Sequence, residues 1–186
     1  YEIRPRDWSS DVCSSDLEDS VAPDQKIEAR RIVQGMLRQA PAGKALWVRV
    51  NALDTGLTIA DLAAVVPAKP FGIVLPKCRG GADLAQVAHY LDAFEAAHGL
   101  NPQSIKILVI ATETGEAVFG MGTYRNVTPR LAGLSWGAED LAADIGAMAN
   151  RVNGAYTEPF RVARALCLHA AARSEEHTSE LQSRGL

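Results

Sequence analysis

Four short apolar runs recur roughly every thirty residues along the chain: 45–50 (ALWVRV), 71–75 (FGIVL), 105–111 (IKILVIA) and 131–135 (LAGLS). Their length and β-branched content predict buried strands rather than helices. Helical periodicity fills the intervals. Over 24–40, Ile32, Val33, Met36, Leu37 and Ala40 fall on one face. Thr58 and Asp61 make a capping-box-like start to a short helix that ends before Pro67. Over 82–98, Leu84, Val87, Leu91 and Phe94 form one stripe, which Gly99 stops. Segments 139–148 and 159–172 are further helices, the second with proline in its first turn. Strands alternating with helices of this length pair in parallel through right-handed crossovers, and helices cover the sheet they form. A doubly wound sheet and a β/α barrel both satisfy the pattern. The chain has no G-x-G-x-x-G or Walker-type loop, so nucleotide binding of the usual doubly wound kind has no support.

The two ends change the composition that matters. Segment 7–17 reads DWSSDVCSSDL and segment 173–183 reads RSEEHTSELQS. With suitable codons, the reverse complement of the DNA encoding one encodes the other, and this DNA resembles a common sequencing-library adapter. The expectation is that 1–17 and 173–186 derive from adapter, leaving 18–172 as the domain on which fold reasoning rests. That interior keeps 15 of the 19 basic and 15 of the 22 acidic residues, so it is formally neutral although the whole chain carries −3. No basic surplus points to nucleic acid or an anionic membrane, and no stretch is long and apolar enough to span a bilayer. Cys78 and Cys167 lack metal-type spacing and suit a reducing cytoplasm.

Each apolar run ends in, or is soon followed by, polar groups that a buried sheet would avoid. Glu18 and Asp19 precede the first helix, Arg49 and Asn51 end the first run, and Lys77 follows the second. Glu113 ends the third, and Glu139 and Asp140 follow the fourth. In a parallel sheet all fall on the C-terminal rim, which carries the active site in β/α barrels. Carboxylates gathered there require ion pairing or a metal. Taken singly, Glu113 also reads as a cap for the next turn. Glu139 and Asp140 read as first-turn acids favoured by the helix dipole, and Lys77 as a side chain that snorkels to solvent. Arg49 lies inside an apolar strand and needs an acidic partner. His89, His98 and His169 read as surface or packing residues. Trp47 and Trp136 read as packing residues, Trp136 being near enough to the rim to line a pocket.

In order, LEDSVAP (17–23), WVRVN (47–51), GIVLPK (72–77), ETGEAVFG (113–120) and WGAEDLAADIGA (136–147) resemble the citrate lyase beta-subunit-like CoA-ester lyases of the HpcH/HpaI aldolase superfamily. The resemblance covers 18–172. It implies an α/β fold, a partial TIM (β/α)8 barrel with roughly five of eight strands present, from a parent that is a homo-oligomer, often a trimer. It also implies that Glu113 and Asp140 hold Mg²⁺ as metal ligands. Arg49 is implied as the catalytic, substrate-binding residue on the oxo-acid oxygens, with Glu113 also facing substrate. Glu18 and Asp19 are implied to orient the waters of the metal from outside its ligand shell. Two carboxylates suffice for magnesium, which takes oxygen ligands and keeps several waters. The implied reaction is magnesium-dependent carbon–carbon cleavage of a 3-hydroxyacyl-CoA of malyl-, citramalyl- or citryl-CoA type to an acyl-CoA and an oxo acid. A late aspartate contributed across a subunit interface is important for catalysis in these relatives, and its segment is not in the chain.

The sequence departs from the family pattern at both ends. An arginine-containing first strand upstream of LEDSV is absent, and adapter interrupts where the last two strands would follow. The expectations are open sheet edges, exposed apolar surface and a piece that aggregates or unfolds by itself. Three other readings stand beside the lyase. One is a class II pyruvate aldolase acting without CoA. Another is the acyl-carrier-bound subunit of a citrate lyase complex. The third is a noncatalytic barrel subunit.

Overall fold

The computed structural model describes residues 15–41 and 43–174. Five strands form one parallel sheet in chain order: β1 (Ser15–Asp16), β2 (Trp47–Arg49), β3 (Gly72–Leu75), β4 (Lys106–Ile110) and β5 (Leu131–Ser135). The crossovers carry α1 (Lys26–Gln39), α2 (Thr58–Val65), α3 (Gly81–Ala97) and α4 (Gly115–Gly120). After β5 come α5 (Glu139–Asp144), a hairpin of β6 (Arg151–Val152) and β7 (Ala155–Tyr156), and α6 (Glu158–Ser174). Among the described residues the sheet is open at β1 and β5. This is the α/β arrangement of a partial barrel, with its fifth strand supplied by Ser15–Asp16. The rest of the two terminal segments lies largely outside the described residues.

The strands form where the apolar runs predict them because both faces of the sheet are covered. Ile73, Leu75, Ile107 and Val109 are buried and pack with Leu84, Val87 and Leu91 of α3, and Val74 is buried on the other face. Each such side chain contributes about 1.5–3 kcal/mol by leaving water. Gly72 opens β3 because a Cβ there would lie 2.3 Å from the Trp47 ring. That ring packs edge-on against Phe71 at 5.2 Å between centroids. Gly99, at φ 63, ends the α3 segment as expected.

Two helical expectations are corrected. On α1, Val33 and Leu37 are buried but Ile32 and Met36 are exposed. The inward face is shared with Lys26, whose ammonium reaches the Leu17 carbonyl, and with Arg30, which pairs with Asp61 of α2. At α2, Thr58 and Asp61 form no capping box. The Thr58 hydroxyl donates to the backbone carbonyls of Asn51 and Ala52, at 2.9 and 3.0 Å. Asp61 accepts from Asn51 and Arg30. Both side chains tie α2 to the end of β2 instead of closing their own helix.

At the N-terminal end of the sheet, Arg130 is buried against Glu95 of α3. Its Nη1 donates to Glu95 Oε1 at 2.8 Å and its Nη2 to Glu95 Oε2 at 2.6 Å. Glu95 also accepts from the N–H groups of Gln103 and Ile105. These contacts hold its carboxyl down to about 2, against a burial that opposes its charge.

Candidate active site

The opposite rim gathers the charged residues that the strand ends deliver. In the β1–β2 register Asp16 stands beside Arg49. Arg49 Nε and Nη2 grip the two Asp16 oxygens at 2.9 and 2.5 Å. A two-pronged arginine–carboxylate bond of this kind fixes direction as well as charge. Nη1 faces Glu18 Oε2 at 2.9 Å and Asp19 at 3.7 Å. The approach to Glu18 lies outside hydrogen-bond geometry, so that buried oxygen has no hydrogen-bond partner. Asp16 supplies the acid that Arg49 requires, and the Arg49 side chain remains 22% exposed at the rim.

Lys77 follows β3 with φ 51, a left-handed backbone that side chains rarely adopt. The turn points its ammonium inward, which overturns the snorkelling reading. Nζ donates to Glu18 Oε1 at 2.5 Å and lies 3.6 Å from Asp19 and 3.9 Å from Asp140. Burial works against this charge, and the bond to Glu18 outweighs it, so the ammonium is held above its ordinary range. The Lys77 backbone N–H also donates to Glu113 Oε2 at 2.6 Å.

Glu113 is buried at the end of the β4 segment. Burial, with Asp140 and Glu18 adding their negative charges, pushes its carboxyl up to about 8, although the Lys77 N–H pulls the other way. A shared hydrogen bond with Asp140 further favours the proton. Gly137 makes room for it: a Cβ there would lie 3.0 Å from Glu113 Cγ. Glu113 does not cap α4; Thr114 does, accepting from the Ala117 N–H at 3.1 Å. Asp140 lies in the first turn of α5 and is half-buried. Its neighbour Glu139 leaves the rim cluster, accepting from Asn150 Nδ2 at 2.8 Å.

Residues 8–177 match the HpcH/HpaI aldolase/citrate lyase family. The chain belongs to this family. It is 36% identical over 155 residues to the malyl-CoA/beta-methylmalyl-CoA/citramalyl-CoA lyase of Chloroflexus aurantiacus, a match covering 81% of the chain and 43% of that protein. It is 34% identical over 144 residues to the (3S)-malyl-CoA thioesterase of Cereibacter sphaeroides, covering 77% and 46%. Among solved structures it resembles the Mycobacterium tuberculosis protein CitE in complex with magnesium, acetoacetate and coenzyme A. There the identity is 28% and the TM-score 0.68, over 86% of this chain and 53% of that one. The chain spans less than half the length of the two curated relatives.

Within this family frame, five of the sequence-derived site residues converge: Glu18, Asp19, Arg49, Glu113 and Asp140. The donor set suits magnesium. Two carboxylates, Glu113 and Asp140, share a hydrogen bond, and the Lys77 ammonium lies 3.9 Å from Asp140. Glu18 adds an oxygen left without a hydrogen bond. Among the described residues no three His, Cys, Asp or Glu side chains form a full cage. Magnesium does not need one. His89, His98 and His169 are exposed and away from it.

Three supporting residues escaped the sequence reading. Lys26 is buried and donates to the carbonyls of Leu17 and Glu18 and to Asn51 Oδ1, at 2.7, 2.7 and 2.8 Å. It fixes the turn that carries Glu18 and Asp19. Asp61, accepting from Asn51 N and Nδ2 at 2.7 Å each, holds the end of β2. Asp16 orients Arg49. A lysine in a helical stripe carries no signal of burial, and only the fold reveals its acceptors. Asn51, placed on the rim by sequence, serves this internal network.

Proposed function

We propose that this chain is the site-bearing part of a magnesium-dependent carbon–carbon lyase. Its substrate would be a 3-hydroxyacyl-CoA of malyl-, citramalyl- or citryl-CoA type, cleaved to an acyl-CoA and an oxo acid. The observation that carries this reading is the meeting of Glu113 and Asp140 on the C-terminal rim of a family whose named relatives act on malyl- and citramalyl-CoA. Glu113 and Asp140 would hold the ion, which when bound polarises the oxygen of the oxo-acid end and steadies negative charge there. Arg49 would present Nη1, which faces Glu18 Oε2 at 2.9 Å in this structure, to a substrate carboxylate. In this chain Asp16, which lies before the proposed domain, holds the guanidinium plane. Glu18 and Asp19 would accept hydrogen bonds from water around such an ion. Burial of Glu113 keeps bulk water off its own carboxylate and strengthens its electrostatic effect, while Asp140 faces the rim.

The domain proposed for this function is 18–172, and the parent protein is proposed to be a cytoplasmic homo-oligomer with a trimer as the expected form. Recovering the complete gene by long-read sequencing across both ends tests the boundaries. A native frame that continues through DWSSDVCSSDL and RSEEHTSELQS contradicts them. The complete gene product, given malyl-CoA or citramalyl-CoA and Mg²⁺, is expected to release acetyl-CoA with glyoxylate or pyruvate, and to stop in EDTA. Release of malate and free CoA instead would favour hydrolysis, the reaction type in the name of the Cereibacter relative. Cleavage of free hydroxy-oxo acids alone would favour an aldolase.

A further inference from the structure

Lys77 touches every carboxylate that matters at the rim, and it does so with two different groups. Its backbone N–H holds Glu113 Oε2 at 2.6 Å. Its ammonium holds Glu18 Oε1 at 2.5 Å and faces Asp140 Oδ2 at 3.9 Å. Lys77 thus stands between the two acids read as metal ligands and Glu18, with Asp19 3.6 Å from the same ammonium. The arrangement is built into the backbone: a lysine sits where φ is 51, a conformation in which glycine would be unstrained. The loop is also locked from behind. A Cβ on Gly120 would lie 1.8 Å from the Arg79 carbonyl oxygen, and one on Gly81 would lie 2.3 Å from that of Thr123. Glu18 is buried, and the Lys77 ammonium makes the hydrogen bond that holds its Oε1. Arg49 Nη1 faces its Oε2 at 2.9 Å, but that oxygen accepts no hydrogen bond and stays available to an ion.

We propose that Lys77 is the positioning residue that sets how many protein oxygens the metal receives, by keeping Glu18 off an ion bound at Glu113 and Asp140. The inference rests on the metal reading above. Each carboxylate added to a hard-cation site raises affinity and displaces water. A lyase needs the opposite, positions left open for substrate oxygens. Lys77 provides them by holding Glu18 Oε1 at 2.5 Å.

The test uses Mn²⁺ as the probe, titrated into the complete gene product and followed by its free-ion electron paramagnetic resonance signal, with bound waters counted by water-proton relaxation. Wild type is expected to bind one Mn²⁺ carrying several waters. Lys77→Met is expected to bind it about tenfold more tightly and with at least one water fewer, because Glu18 joins the ion. Lys77→Ala gives the same result where the methionine variant does not fold. Lys77→Arg, which still grips Glu18, is expected to keep the wild-type water count, and so is Glu18→Gln combined with Lys77→Met. Tighter binding with an unchanged water count would mean that only charge was removed, and would overturn the proposal. So would unchanged or weaker binding in Lys77→Met. Failure of the wild type to bind Mn²⁺ at all would bring down the metal reading itself, a result distinct from the other two.

Discussion

Glu113 is the residue whose surroundings matter most for pH. Its folded carboxyl titrates near 8 against an ordinary 4.5, because it is buried beside Asp140 and Glu18. The folded chain therefore binds this proton more tightly than the unfolded chain does. Between about 4.5 and about 8 the metal-free protein must lose stability as pH rises. Its melting temperature in EDTA is expected to fall across that window, and Glu113→Gln to flatten the slope. A melting temperature that climbs through the window, or a slope that Glu113→Gln leaves intact, contradicts the assignment. A metal at this site needs the ionised form, so Mg²⁺ binding releases a proton and strengthens toward pH 8. At this scale much was legible. An arginine inside an apolar strand announced an acid, and acids after each strand announced a charged rim. The inward turn of Lys77 was not legible, because it depends on a left-handed backbone that the residue type argues against.

Among the elements, the junction between α3 and the start of β5 carries the strongest charge pairing away from the site. Arg130 and Glu95 are each 1% exposed, and Arg130 also meets the exposed Asp92. Arg130→Met leaves Glu95 charged and buried without its cation. The expected cost is about 3–5 kcal/mol in urea denaturation, the usual penalty for breaking a buried pair. A loss under about 1 kcal/mol would show the pair to be dispensable. Glu95 is depressed to about 2, so its contribution is complete above 4.5 and fades as pH falls toward 2. The strands were readable from their apolar runs, and α3 from its stripe. The hairpin at β6 and β7 was missed, although Asn153-Gly154 is a strong signal for a two-residue turn and both residues have positive φ. The α2 capping box failed because tertiary partners claimed Thr58 and Asp61. No local rule anticipates that competition.

For the whole molecule, the open sheet and the exposed apolar side chains belong together. Phe119 is 92% exposed, and Ile27, Ile32, Val152 and Leu168 are each more than half exposed. Among the described residues no helix is long and apolar enough to cross a membrane. Apolar surface of this extent favours association. The isolated chain is expected to elute as dimers or larger species in light-scattering chromatography and to bind an apolar dye; a dye-silent monomer that melts cooperatively would refute this. The β/α alternation was legible across the chain. The contribution of Asp16 and Leu17 was not, because their segment had been set aside on the DNA argument. Leu17 is nonetheless fully buried and Asp16 is clamped on Arg49. Everything proposed for the rim turns on whether Glu113 and Asp140 hold one divalent ion. A Mn²⁺ titration of the wild type, Glu113→Gln and Asp140→Asn, with Mg²⁺ competition, measures it directly. One site in the wild type, emptied by Mg²⁺ and weakened at least about tenfold by either change, is the predicted result. Binding that both variants retain, or none in the wild type at neutral pH, would contradict it.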